Sequence, residues 1–167
     1  MHEFPCGADE YAKMRSDGAA RRSLAFLMSS PTDSDVFVVL HVEDDVQLAA
    51  SVARLLRAEG LEALTATDGA GALGLLAAGA AVPDVLIMDV DLPGEMDGAD
   101  AAQEICRAVG HVLPTIFLSG ELSSVGLPWL PGAPLLFVAK PVDPEVLLKV
   151  VESFARLGRF MRAHTHH

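Results

Sequence analysis

The stretch "VLIMDVDLPGEMDG" (residues 85–98) runs as an apolar strand and then sets Asp89, Asp91, Glu95 and Asp97 within nine residues of one another. A strand this apolar, with no polar alternation, is one covered on both faces, as in a parallel sheet between helices. Carboxylates gathered where such a strand ends repel one another and resist ionising together in a low-dielectric site. The stretch therefore predicts both a sheet type and a charged site at its edge.

Working outward, short apolar runs alternate with segments of helical period. "VFVVLHV" (36–42) reads as a buried strand and "VQLAASVARLLRAEG" (46–60) as a helix, with Leu48, Val52, Leu55 and Leu56 at three- and four-residue steps and Gly60 as its stop. "LEALTA" (61–66) is a second strand, Asp68 can N-cap a helix from Gly69 to about Ala78, and "DVLIMDV" (84–90) is the third strand. "GADAAQEICRAVG" (98–110) is a helix ended by glycine, followed by the strands "PTIFLSG" (114–120) and "PLLFVAK" (134–140). The last helix spans 143–160, with Asp143 as N-cap and Pro144 at the first helical position. This order predicts an α/β fold: a doubly wound, flavodoxin-like, five-stranded parallel sheet with helices on both faces and ligands at the carboxyl ends of the strands. Between the fourth and fifth strands, Pro128, Pro131 and Pro134 cannot sit inside an α-helix, so the fourth helix is short or broken.

At 167 residues the chain suits one domain plus extensions. Residues 1–35 read as an N-terminal extension, flexible or with a turn or two of helix at "AARRSLAFLM"; the domain runs over 36–160 and a C-terminal tail over 161–167. Twelve Lys and Arg against 23 Asp and Glu give a net charge of −11, and aromatics are 5%, which argues against direct contact with nucleic acid. Cys6 and Cys106 match no metal or redox spacing, the start lacks a signal-peptide pattern, and "AGALGLLAAGAAV" is too short to cross a membrane. A cytoplasmic protein with no membrane insertion is expected.

At the carboxyl edge of the predicted sheet the first strand ends in Glu43 and Asp44, the third in Asp89, the fourth in Ser119 and the fifth in Lys140, followed by Pro141. Three carboxylates stay ionised together if a divalent cation and Lys140 join them, since the local charges then sum to zero. Mg²⁺ suits such oxygen ligands, and the metal with the lysine would neutralise a phosphoryl group while a carboxylate attacks it in line.

On "VEDD", "LIMDVDLPGEMDG", "FLSG" and "FVAKP", residues 36 to about 157 resemble the CheY-like receiver domain of two-component response regulators. The resemblance implies that Asp89 accepts a phosphoryl group from a sensor histidine kinase or histidine phosphotransfer protein. It implies that Asp44 binds Mg²⁺, with Glu43 acting through water or by orienting Asp44 and the Asp91 main-chain carbonyl as a further ligand. Lys140 would pair with Asp89 and then with the phosphoryl oxygens, Ser119 would move to bond the phosphoryl group, and Phe137 stands where an aromatic ring swings inward in the switch. Such a chain is a signalling phosphoacceptor, not a turnover enzyme, in a phosphorelay; it is expected to stand alone and act on a downstream effector protein, with a homodimer open. The loop "LPGEMDG" is one residue longer than the commoner family loop.

Three other readings compete. "DVD" (89–91) resembles the first motif of haloacid-dehalogenase-type phosphatases with Asp89 as nucleophile, but there the acid pair does not precede it. A receiver signalling by binding without phosphorylation is the second. "GAGALG" (69–74) fits the dinucleotide-binding pattern, yet Asp68 would set negative charge against a pyrophosphate, and helix packing explains the glycines. The terminal "HTHH" could hold a metal in vitro, Trp129 reads as core cover or partner anchor, and His41 and His111 have no partners at a ligand spacing.

Overall fold

A computed structural model of the chain describes residues 36–93, 96–120, 130 and 132–164. The proposed extension 1–35, Trp129, Glu95, nearly all of the proline-bearing segment expected to break the fourth helix, and all of "HTHH" but His164 lie outside those residues.

The described elements are β1 (Val38–Val42), α1 (Val46–Ala58), β2 (Glu62–Ala66), α2 (Gly69–Ala77), β3 (Val85–Asp89), α3 (Gly98–Val109), β4 (Thr115–Ser119), β5 (Leu135–Ala139) and α4 (Pro144–His164). The five strands are all parallel, in the order β2-β1-β3-β4-β5, so the chain reverses direction across the sheet between β1 and β3. That reversal opens the crevice at the carboxyl ends where such sheets bind ligands.

Strand periodicity divides the core into two layers. Val39, Val85, Ile87, Ile116 and Leu118 face Val52, Ala53 and Leu56 of α1 and Leu147, Val151 and Ala155 of α4. Leu40, Leu86, Met88 and Phe117 face Ala72 of α2 and Ala101, Ala102, Ile105 and Cys106 of α3. Large side chains such as Leu56 and Ile87 are wholly buried, each stabilising the fold by about 1.5–3 kcal/mol.

Short polar side chains start the helices by accepting the orphan N–H groups of the first turn. Asp45, Asp68, Asp97 and Asp143 cap α1, α2, α3 and α4 respectively. Gly110, at φ 80°, ends α3 in the left-handed conformation that glycine adopts without strain. The last helix runs to His164, beyond the expected end at Phe160, because no breaker follows Phe160 and Arg162 finds an acid to bind. The "GAGALG" glycines serve packing: a Cβ on Gly69 would lie 2.9 Å from Ala101 Cβ, and the amide of Gly71 is taken by Asp68 at 2.7 Å.

Candidate functional site

In "HVEDDV" the three acids divide their work. Asp45 Oδ1 accepts from the amides of Gln47 and Leu48 and fixes the start of α1, leaving Glu43 and Asp44 between strand and helix. By alternation Glu43 shares the face of Val39, and on β3 Asp89 shares that of Val85 and Ile87, so both acids project toward the α1 and α4 layer. Carboxylate oxygens of Glu43, Asp44 and Asp89 all lie within 4.8 Å of one another. Asp44 is exposed, whereas Glu43 and Asp89 are 1% and 3% exposed.

Lys140, just past β5 and joined to Pro141 by a cis peptide bond, reaches across this group. Its Nζ donates to Glu43 Oε2 at 2.8 Å and to Asp89 Oδ2 at 2.9 Å. Asp89 Oδ1 accepts the Asp91 N–H at 2.9 Å, Glu43 Oε1 accepts a long bond of 3.4 Å from the Asp45 N–H, and the Glu43 and Asp89 carboxyls also act on each other. Burial raises both carboxyls toward the neutral form, but the outcomes differ. Burial outweighs Lys140 at Glu43 and pushes its pKa up; at Asp89 the Lys140 hydrogen bond, the Asp91 amide and the ammonium charge together overcome burial and hold the pKa down. Lys140 goes up, since its bonds to Glu43 and Asp89 exceed its own burial penalty.

Ser119 is wholly buried at the end of β4, and its main-chain oxygen accepts the Lys140 N–H at 2.8 Å. Two residues earlier Phe117 packs in the opposite layer, its ring stacked on Phe137 at 5.2 Å between centroids and 14° between planes. Glu43, Asp44, Asp89 and Lys140 are thus brought together, Ser119 is buried at the neighbouring strand end, and Phe137 packs in the layer opposite Asp89. Asp91 is exposed and joins the group through its amide; Asp97 caps α3 through the amides of Ala99 and Asp100. The packing under Asp89 is close: a Cβ on Gly98 would fall 2.2 Å from the Asp89 carbonyl oxygen.

A hard divalent cation fits this donor set. Three oxygen-bearing acids meet one ammonium, leaving two negative charges uncompensated, and all the donors are of the type such ions choose. Beside Lys140 an apolar groove of about 610 Å³ opens between α1 and α4, lined by Leu48, Val52, Val142 and Leu147 among others.

Two features had no signal in the periodicity. His41 is wholly buried one pleat below Glu43, and neither ring nitrogen has a hydrogen-bond partner among the described residues. Asp84, just before β3, is buried against Arg159 at 2.7 Å and Arg162 at 2.9 Å, at the opposite edge of the sheet from Asp89; an acid opening an apolar strand was the clue.

Residues 39–152 match the family described as the response regulator receiver domain. The chain is 37% identical over 124 residues to the sensory transduction protein RegX3 of Mycobacterium tuberculosis, covering 72% of this chain and 51% of that protein. It is 36% identical over 112 residues to the uncharacterized transcriptional regulatory protein YbdJ of Bacillus subtilis, covering 66% and 47%. The chain therefore spans about half the length of the curated relatives it matches. Among solved structures it is similar to the N-terminal domain of a response regulator/sensory box/GGDEF 3-domain protein from Carboxydothermus hydrogenoformans. That likeness has a TM-score of 0.63 at 26% identity and covers 73% of this chain and 96% of that one.

Proposed function

The chain belongs to the response regulator receiver family of two-component signalling, and on that premise we propose that Asp89 is its phosphoacceptor. Receivers are signalling domains, not classical enzymes, that work with histidine kinases and effectors and bind a divalent cation in an acidic pocket. For this chain the reading is a phosphoryl transfer from the phosphohistidine of a kinase or phosphotransfer protein in the cytoplasm. An oxygen of the Asp89 carboxylate attacks phosphorus in line; the new O–P bond forms as the P–N bond breaks, and the donor nitrogen keeps the electron pair.

The observation that carries this reading is Lys140 Nζ at 2.9 Å from Asp89 Oδ2, beside two further acids. The lysine and the Asp91 amide hold Asp89 ionised and oriented, and Lys140 then bonds the phosphoryl oxygens. Mg²⁺ would be held by Asp44, Asp89 and the Asp91 carbonyl, with Glu43 acting through water, and when bound it supplies positive charge to the phosphoryl oxygens. Ser119 turns toward the added oxygens, and Phe137 answers by shifting against Phe117. A phosphoryl group brings about −1.5 to −2 charge, enough to bias two arrangements of the β4 and β5 ends. The groove beside Lys140 gives the phosphohistidine-bearing donor an apolar seat next to the acceptor.

The test is intact mass after incubation with Mg²⁺ and acetyl phosphate. One labile phosphoryl adduct is expected on the wild type, none on Asp89→Asn and none with chelator. A folded but inert wild type, or an adduct that persists in Asp89→Asn, would overturn the assignment, the first favouring a receiver that signals by binding alone.

A further inference from the structure

Among the described residues, His41 is a buried polar group near the site whose presence neither packing nor the acceptor chemistry accounts for. It lies in β1 beside Ile87 of β3, two residues before Glu43 just as Ile87 stands two before Asp89. Strand alternation puts His41 and Glu43 on one face, with Cα atoms about 6.6 Å apart. The ring is wholly buried, and neither Nδ1 nor Nε2 has a partner among the described residues. A buried imidazole left so costs stability that an apolar residue of similar size would not. The charged groups acting on it are Lys140 and Asp89; burial first and the ammonium second bring it down to about 4, against the opposing pull of Asp89, so at neutral pH it is uncharged, with one N–H to donate.

Its neighbour has the complementary weakness. Glu43 is 1% exposed, and among the described residues the one cation beside it is Lys140 at 2.8 Å; its other neighbours are the Asp45 amide at 3.4 Å and the Asp89 carboxyl, which is itself an acid. The same Nζ serves Asp89. Once Asp89 carries a phosphoryl group, new anionic oxygens compete for that ammonium, and a buried carboxylate loses its cation. We propose that His41 is a positioning residue whose neutral ring N–H takes over the Glu43 carboxylate when Lys140 moves onto the phosphoryl group. The handover transfers no proton: one hydrogen bond from Lys140 is replaced by one from an N–H that had none. The inference rests on Asp89 being the acceptor.

The experiment follows the ring nitrogens of the full chain, labelled with ¹⁵N-histidine, by NMR in Mg²⁺ before and after acetyl phosphate, with intact mass recorded on the same samples. Six histidines contribute, and the His41 signal is the one lost in His41→Val. On loading, one His41 ring N–H is expected to move downfield and exchange more slowly with water, in proportion to the adduct, and Asp89→Asn should show neither change. In parallel, His41→Val is expected to weaken beryllofluoride binding in Mg²⁺ about fivefold, the size of one net hydrogen bond, with the amide donor of His41→Gln recovering most of it. An unchanged His41 signal on protein that mass shows to be phosphorylated at Asp89 would overturn the handover and leave the acceptor standing. Wild-type beryllofluoride affinity in His41→Val would do the same. Absence of any adduct would remove the acceptor assignment and this inference with it.

Discussion

Strand β3 is flanked by two buried acids, Asp84 just before it and Asp89 as its last residue, 1% and 3% exposed. At the amino end one carboxylate meets Arg159 at 2.7 Å, Arg162 at 2.9 Å and the Val38 amide at 3.0 Å, while Arg159 also donates to the Val36 carbonyl and lies 4.3 Å over the Phe37 ring. At the carboxyl end Glu43, Asp44 and Asp89 share Lys140. The first cluster sums to +1 and is completed by the protein's own donors; the second sums to −2 and is short of cations. Buried charge alone therefore does not mark a functional site. The shortfall does, since among the described residues Lys140 is the one cation bonded to these acids.

Asp84→Ala strikes the amino end hardest. It removes the carboxylate shared by two guanidinium groups and an amide, which should cost about 3–5 kcal/mol, the usual penalty for removing one partner of a buried ion pair. The denaturant midpoint would record it, while phosphoryl uptake per folded molecule stays at the wild-type level. A loss below 1 kcal/mol, or a matching loss of uptake, would merge the two ends into one functional unit.

Acid separates them next. His41 belongs to the carboxyl end and is held at about 4 in the folded state against 6.5 as its ordinary value, with Lys140 and Asp89 the charges acting on it. Between those values the unfolded chain takes up a proton that the folded chain refuses, so stability falls as pH drops from about 6.5 to about 4. The loss is on the order of 3 kcal/mol. In chelator, His41→Val should lack this part of the slope and Asp84→Ala should keep it; equal slopes in wild type and His41→Val would assign the acid limb to other groups.

Each end is also sealed by a glycine. A Cβ on Gly158 would lie 1.8 Å from the Asp84 carbonyl oxygen, and one on Gly98 would lie 2.2 Å from that of Asp89. Gly158→Ala and Gly98→Ala must both shift a helix against β3, at about 1–3 kcal/mol each. Their functional outcomes should part: Gly98→Ala displaces Asp89 and lowers phosphoryl uptake per folded molecule, whereas Gly158→Ala lowers only the midpoint.

The two ends also differ in how far the sequence reveals them. The strands stand out because apolar runs such as "VLIMD" stop at Asp and Gly caps, and the parallel order follows from alternation with helices. Glu43, Asp44, Asp89 and Lys140 are legible because each ends a strand, and parallel strands carry their carboxyl ends to one edge. Asp84 pairs with Arg159 across 75 residues, and no periodicity links a residue before a strand to one deep in a helix. The same pairing carries α4 past Phe160, through Arg162. That Phe137 lies in the layer opposite Asp89 is written in strand parity, and the pairing of Phe117 with Phe137 across β4 and β5 fixes it. His41 looks like an ordinary strand residue until the fold shows it buried, with both nitrogens lacking partners among the described residues.

The smallest predicted effect tests the charge sums themselves. Asp44 is exposed and belongs to the cluster with too many acids. In chelator, Asp44→Asn removes one repelling charge, so it should raise stability, by no more than about 1 kcal/mol as for other exposed charges. Salt at several tenths molar should shrink the gain, because screening already weakens the repulsion. With Mg²⁺ at about a hundredfold excess over its Kd the wild type should gain about 2.7 kcal/mol, and the variant much less, so the order of the two proteins inverts. Removing a charge thus stabilises this end where it destabilises the other. An Asp44→Asn protein less stable than wild type in chelator would mean that the carboxyl end is balanced without a metal, and the contrast between the two ends of β3 would be lost.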